Sequence, residues 1–170
     1  AYKGQMLKSG EWLKTKDGVF VAIVFLDGSN IKIQQQTEVK ISSYRMTAKD
    51  LKTNLEMSKG QAWSNVADQG VGGEFTIKTP TAVASVKGTE FDLKFDEDSG
   101  ESILIVMSGS VSFSNEIGEI IAGAMEAASA SEGSGPTKKS ISKEDLPSWQ
   151  DKTDPGVAFK LKPDAFGRQP

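Results

Sequence analysis

The 170-residue chain carries 20 basic and 23 acidic residues, a formal charge of −3, and neither cysteine nor histidine. That absence excludes a Ser-His-Asp triad, a Cys-His pair, a histidine- or thiolate-held haem, a thiolate-rich zinc site and any disulfide, so no cofactor is expected. The acidic balance argues against a nucleic-acid surface, and the longest apolar run, Val19–Leu26, is far too short to span a membrane.

The length fits one domain with a real core. The opening Ala1-Tyr2-Lys3, with no methionine and no visible signal peptide, suits a mature secreted product or a trimmed chain. Residues 1–60 hold ten basic residues against six acids while the remainder is acidic. Most of these bases fall at alternate strand positions, which predicts a solvated face.

In chain order the pattern predicts a series of short strands. Glu11–Thr15 follows Gly10, Val19–Leu26 follows the Asp17-Gly18 turn, and Asn30–Gln34 follows Asp27-Gly28, a strong hairpin signal. Glu38–Ser42 continues the series. Over Met46–Lys59 a shared face of Leu51, Leu55 and Met57 fits either a helical turn or an irregular strand. Next come Gln61–Val66 with Trp63, then Glu74–Thr79, Thr81–Val86, Glu90–Phe95, Ser102–Met107, Ser110–Ser114 and Gly118–Ile121. Turns every eight to twelve residues indicate an all-β sandwich, barrel or solenoid.

The C-terminal third reads differently. Ala127–Lys143 is rich in Ala, Ser, Gly and Lys, and Gly133-Ser134-Gly135-Pro136 marks a surface loop. Ser142 before Glu144 and Asp145 predicts a short capped helical turn ending at Pro147, with Trp149 packing onto the end of the domain or serving as a partner contact. Residues 150–170 are expected to form an extended tail, with Phe159, Leu161 and Phe166 as anchors to the domain or to a partner. The expected organisation is therefore a β domain over 1–149 and a tail over 150–170.

Thr76–Leu93 is the most informative stretch. Phe75, Ile77 and Thr79 alternate with Glu74, Thr76 and Lys78, as in a strand with one buried face. Pro80 lacks a backbone donor and should end that strand. Ala82, Ala84 and Val86 put small residues on one face, and Gly88 is expected to adopt a positive φ or a close backbone contact before Phe91, Leu93 and Phe95 start another inward row.

The core of this stretch, Thr79-Pro80-Thr81 followed by Val86-Lys87-Gly88-Thr89-Glu90-Phe91, resembles the FecR domain, an extracytoplasmic bacterial module of iron-uptake anti-sigma regulators and of stand-alone envelope proteins. Other segments match in the family's order: Leu7–Thr15, Asp27-Gly28-Ser29 between strands, Lys59-Gly60-Gln61-Ala62-Trp63 with Met57 near an expected leucine, Ser108-Gly109-Ser110-Val111, and Ala122-Gly123-Ala124-Met125 with alanine for an acid. The resemblance implies a compact β-solenoid, its interior lined by Ala82, Ala84, Val86, Ile103, Ile105 and Val111. It also implies a periplasmic or secreted location and a protein or cell-wall partner. The family-motif residues Thr79, Pro80, Thr81, Gly88, Thr89, Glu90 and Phe91 are expected to be mainly structural, with Thr89 and Glu90 the better placed for interaction.

Candidate active sites are few. Asp96-Glu97-Asp98-Ser99-Gly100-Glu101 lacks the spacing of a calcium loop and fits a hairpin turn. Gly70-Val71-Gly72-Gly73 leads into a strand where a phosphate cradle would open a helix. Ser58-Lys59 and Ser142-Lys143 are adjacent only in sequence. Glu90 and Asp92 project from one strand face about 7 Å apart, an exposed pair without an aromatic sugar platform. A non-catalytic envelope binding or signalling module is the reading these features favour. The alternative is a carbohydrate-active enzyme on a β-solenoid, using Glu90, Asp92 or the Asp96–Glu101 cluster.

Overall fold

The computed structural model describes residues 4–45, 50–152 and 157–162. The chain is all-β, and its strands, numbered in chain order, form two faces joined through one long strand. The first face runs β1 (Gln5–Lys8), β15 (Val157–Lys162), β3 (Val21–Val24), β4 (Asn30–Ile33), the second half of β6 (Leu51–Val66), β9 (Thr89–Asp96), β10 (Glu101–Ser108), β13 (Glu126–Ser131) and β14 (Ser134–Ser140). The second runs β2 (Glu11–Lys14), β5 (Glu38–Arg45), the first half of β6, β7 (Glu74–Lys78), β8 (Val83–Val86), β11 (Ser110–Ser114) and β12 (Glu119–Gly123).

The two faces meet again at their far ends. Lys138 Nζ on β14 donates to the Ile121 carbonyl on β12 at 2.8 Å, and Asn115 Nδ2 donates to the Ser134 carbonyl at 2.7 Å. The sheet is thereby wrapped into a nearly closed, barrel-like form, which leaves few open strand edges. Among the described residues three ladders are parallel, β1–β15, β3–β15 and β6–β7, and the others are antiparallel. These ladders build a barrel-like sheet and do not establish the expected solenoid.

Between the faces lies one apolar core. Phe75, Phe91, Phe113, Ile23, Ile31, Ile33, Ile41, Leu55, Met57, Ile77 and Leu93 are its largest fully buried side chains, and Phe25 meets Phe75 edge-on at 5.6 Å between ring centroids. Ala82, Ala84, Val86 and Val111 line this interior as expected. On β10 the inward row is Ser102, Leu104 and Val106, so Ile103 and Ile105 face outward, half-buried. Both readings satisfy the period of two, and only packing chooses between them.

Met46–Lys59 and Gln61–Val66 are not separate elements: Leu51–Val66 is one 16-residue strand, while 46–49 lie outside the described residues. The apparent break at Gly60 is the place where β6 passes from one face to the other. Its φ is +101°, and a Cβ there would collide with Thr37 Oγ1. That hydroxyl accepts from Gln61 N at 3.1 Å. Only glycine allows both the backbone twist and this approach.

Two C-terminal expectations also change. Within Ala127–Lys143 the predicted loop is the hairpin β13–β14, turning at Gly133 with φ +74°. Within the expected irregular tail, Val157–Lys162 is β15, paired in parallel with both β1 and β3. Phe159 and Leu161 are part of that strand, whereas Phe166 lies outside the described residues. The capped turn is present as a 3-10 turn over Lys143–Asp145, where Ser142 N and Oγ each donate to Asp145 Oδ2 at 3.0 Å.

Candidate interaction surface

The signature residues divide between wall and surface. Thr79 is buried at the β7–β8 turn, where its backbone N donates to the Ala82 carbonyl at 2.8 Å and its Oγ1 accepts from Ala82 N at 3.0 Å. Its hydroxyl also meets Ser102 Oγ at 2.6 Å, and Thr81 Oγ1 meets the same oxygen at 2.7 Å. Thr81 Oγ1 lies 3.3 Å from the Ala130 carbonyl as well. These hydroxyls tie the signature turn of one face to β10 and β13 of the other. Pro80 stands exposed at the tip, beside a cleft of about 760 Å³ whose walls include Thr81, Val83, Asn115, Ile117 and Glu132.

The second half of the signature is also structural. Phe91 is fully buried in the core, and Thr89 Oγ1 donates to the Ser110 carbonyl at 2.8 Å. Of the two alternatives expected for Gly88, the positive φ is absent, and a Cβ there would be an ordinary 3.4 Å from Asp68 Cα. The strained position is across the contact. Gly109 has φ +78°, and a Cβ on it would lie 2.6 Å from the Gly88 carbonyl oxygen. The carbonyl of Gly88 is thus what the neighbouring turn must avoid, and the conformational demand falls on Gly109.

The acidic pair differs from its expected form. Glu90, Asp92 and Lys94 form the outward row of β9, but Asp92 is only 2% exposed. A short helix, α1 (Trp149–Lys152), folds back over this face. Trp149 Nε1 donates to Asp92 Oδ2 at 2.7 Å, and Gln61 Nε2 donates to Asp92 Oδ1 at 2.7 Å. Trp63 Nε1 donates to Glu90 Oε1 at 3.2 Å, so each carboxylate has an indole beside it. These aromatic neighbours, contributed by β6 and by α1, have no signal in the residues around Glu90 and Asp92.

Further contacts hold α1 in place. Lys32 Nζ donates to the Gln150 carbonyl and sits 5.7 Å from the centroid of Trp63. The Trp149 ring packs at 6.3 Å against Phe20. Gln150 is buried, with its Nε2 donating to the Pro147 carbonyl at 3.0 Å. Burial pushes the Asp92 carboxyl up to about 6, a rise that its bonds to Gln61 and Trp149 and the charge of Lys94 only partly offset.

The Asp96–Glu101 segment is a hairpin turn. Gly100 N donates to the Asp96 carbonyl at 2.8 Å, and Asp96 Oδ1 accepts from Asp98 N at 2.9 Å. That carboxylate satisfies its own turn. No grouping of three metal-ligating side chains occurs among the described residues, and no described helix is long and apolar enough to cross a membrane.

A family model described as "FecR protein" matches residues 11–112, from the start of β2 into β11. The chain belongs to the FecR family. Two crystal structures of a candidate anti-sigma factor from Parabacteroides distasonis ATCC 8503, at 1.65 and 2.50 Å, share the fold with a TM-score of 0.67 and 19% identity. The alignment covers 82% of this chain and 64% of theirs, so this FecR chain spans about two-thirds of their length. No curated protein matches it. Trp149 and the helix covering Asp92 lie beyond the FecR-matched stretch.

Proposed function

We propose that this FecR-family chain is a non-catalytic, extracytoplasmic signalling module, periplasmic or secreted, that presents a stiff β-surface to a protein or cell-wall partner. The FecR match over residues 11–112 carries the reading, and the fold shared with a candidate anti-sigma factor agrees with it. The geometry supports it too. The signature hydroxyls of Thr79, Thr81 and Thr89 are engaged within the domain and Phe91 is core, which leaves Pro80 and the adjoining cleft as the part of the signature open to a partner. A rigid turn beside a cleft displays contacts at little ordering cost. The solenoid description and a role in sigma-factor signalling belong to this proposal.

The test is affinity capture from envelope extract on the folded chain, with heat-unfolded chain and an Ile117→Asp variant as controls. A component retained by the folded chain and lost with Ile117→Asp supports a partner at the cleft. Equal retention by all three sinks it.

The enzyme reading gains one observation, the indoles beside Glu90 and Asp92. Against it, Asp92 is sealed from substrate by α1. Polysaccharide cleavage that vanishes in Glu90→Gln would restore it.

A further inference from the structure

The outward face of β9 is closed by a segment 57 residues away in sequence. Among the described residues, this closure encloses a carboxylate without supplying a cation within hydrogen-bonding reach: the donors to Asp92 are the neutral Gln61 and Trp149. We propose that the α1 segment is a proton-sensitive strap, held shut over β4, β6 and β9 when Asp92 is protonated and loosened when it is ionised, so that loosening exposes the Lys32–Trp63–Asp92 row. The strap operates independently of any partner at the Pro80 cleft.

Linkage connects the strap to the proton. With the strap lifted, Asp92 stands on a strand surface open to water and titrates as an ordinary aspartate. With the strap shut, it is desolvated. A change of environment that raises the proton affinity of a group must, reciprocally, be favoured by protonation of that group. Closure therefore strengthens as pH falls through the raised value of about 6 towards the ordinary 3.8, and weakens as pH rises through that window. A rise of this size corresponds to about a hundredfold in the closing equilibrium.

Other charged side chains lie around Asp92. Glu90 and Lys94 flank it on β9, and Lys32 on β4 binds the Gln150 carbonyl. β6 contributes the neutral Gln61 and Trp63, and β10 places Ile105 opposite Asp92. Asp151 is exposed on α1. Asp145, on the approach to the strap, is held below its usual range by the backbone N–H and then the hydroxyl of Ser142, so it stays ionised across the window. The remaining contacts of the strap, Trp149 on Phe20 and Lys32 on the Gln150 carbonyl, do not involve the Asp92 carboxyl.

Hydrogen exchange of residues 146–152 in the full chain, corrected for the intrinsic pH effect, reads strap opening directly. Protection is expected to rise by about tenfold from pH 8 to pH 5 in the parent. In Asp92→Asn, which keeps an acceptor for Trp149, protection should be independent of pH. A parent without pH dependence, or an Asp92→Asn variant that retains it, overturns the proposal. Should that variant not fold, carboxyl NMR of Asp92 in Trp149→Ala gives the reciprocal reading. A titration falling from about 6 towards 4 supports the strap, and one that stays near 6 overturns it.

Discussion

The two faces of β9 are built from alternate residues of one eight-residue strand and behave as different materials. Inward, Thr89, Phe91, Leu93 and Phe95 enter a core where apolar contact and a single satisfied hydroxyl suffice. Outward, Glu90, Asp92 and Lys94 should be solvated, yet Asp92 is buried as thoroughly as the core because α1 lies over it. The inward face is fixed by local alternation. The outward one depends on a remote segment, so its state can change while the strand stays intact.

The contrast is most severely tested on the inward side. Phe91→Ala should cost about 3–5 kcal/mol, measured by denaturant unfolding, because it leaves a ring-sized void in a close-packed core. A loss below about 1 kcal/mol would mean that the interior repacks freely and the contrast fails.

On the outward side, Asp92→Asn should flatten the pH dependence of stability. In the parent the raised carboxyl lowers stability as pH climbs from about 4 past 6, by at most about 3 kcal/mol for a rise of this size. Paired melts of parent and variant at pH 5 and pH 8 isolate the effect. A parent that gains stability relative to Asp92→Asn at the higher pH would reverse the sign and refute the assignment.

Next in size is the pair of glycines at the signature. Gly109→Ala should cost about 1–3 kcal/mol from its left-handed backbone, with the Gly88 carbonyl in the way as well, whereas Gly88→Ala should stay within about 0.5 kcal/mol. Equal melting temperatures for the two variants would show that the demand has been placed on the wrong residue. The smallest effect is expected at the seam of the sheet. Lys138→Ala removes a half-exposed ion pair with Glu126 at 3.1 Å and the bond to Ile121, and should cost no more than about 1 kcal/mol.

Much of the fold was legible because strands announce themselves locally. Phe75 and Ile77, or Phe91 and Leu93, alternate with polar residues whatever lies beyond them, and Asp27-Gly28 turns the chain without help. The signature itself was legible as a family pattern. What escaped notice shares a cause. Gly60 reads as a break between two elements unless Thr37 is known to fill the space beside it. Ala127–Ser131 gives no strand signal because its small residues carry little alternation, and β10 reads one residue out of phase because Ile103 and Leu104 are equally apolar.

At the site, the sequence supplied the carboxylates and Trp149 as separate candidates, and the resemblance supplied the family. That Trp149 reaches Asp92, that Gln61 joins them, and that Val157–Lys162 completes a sheet between β1 and β3 are long-range facts. Composition excluded cysteine and histidine chemistry, and alternation showed that the chain would be built of strands, since both depend on residues and their immediate neighbours. Which face of each strand meets water, and how strongly Asp92 holds its proton, depended on which distant segments close over them. Burial is a property of the assembled chain, and no short stretch of residues contains it.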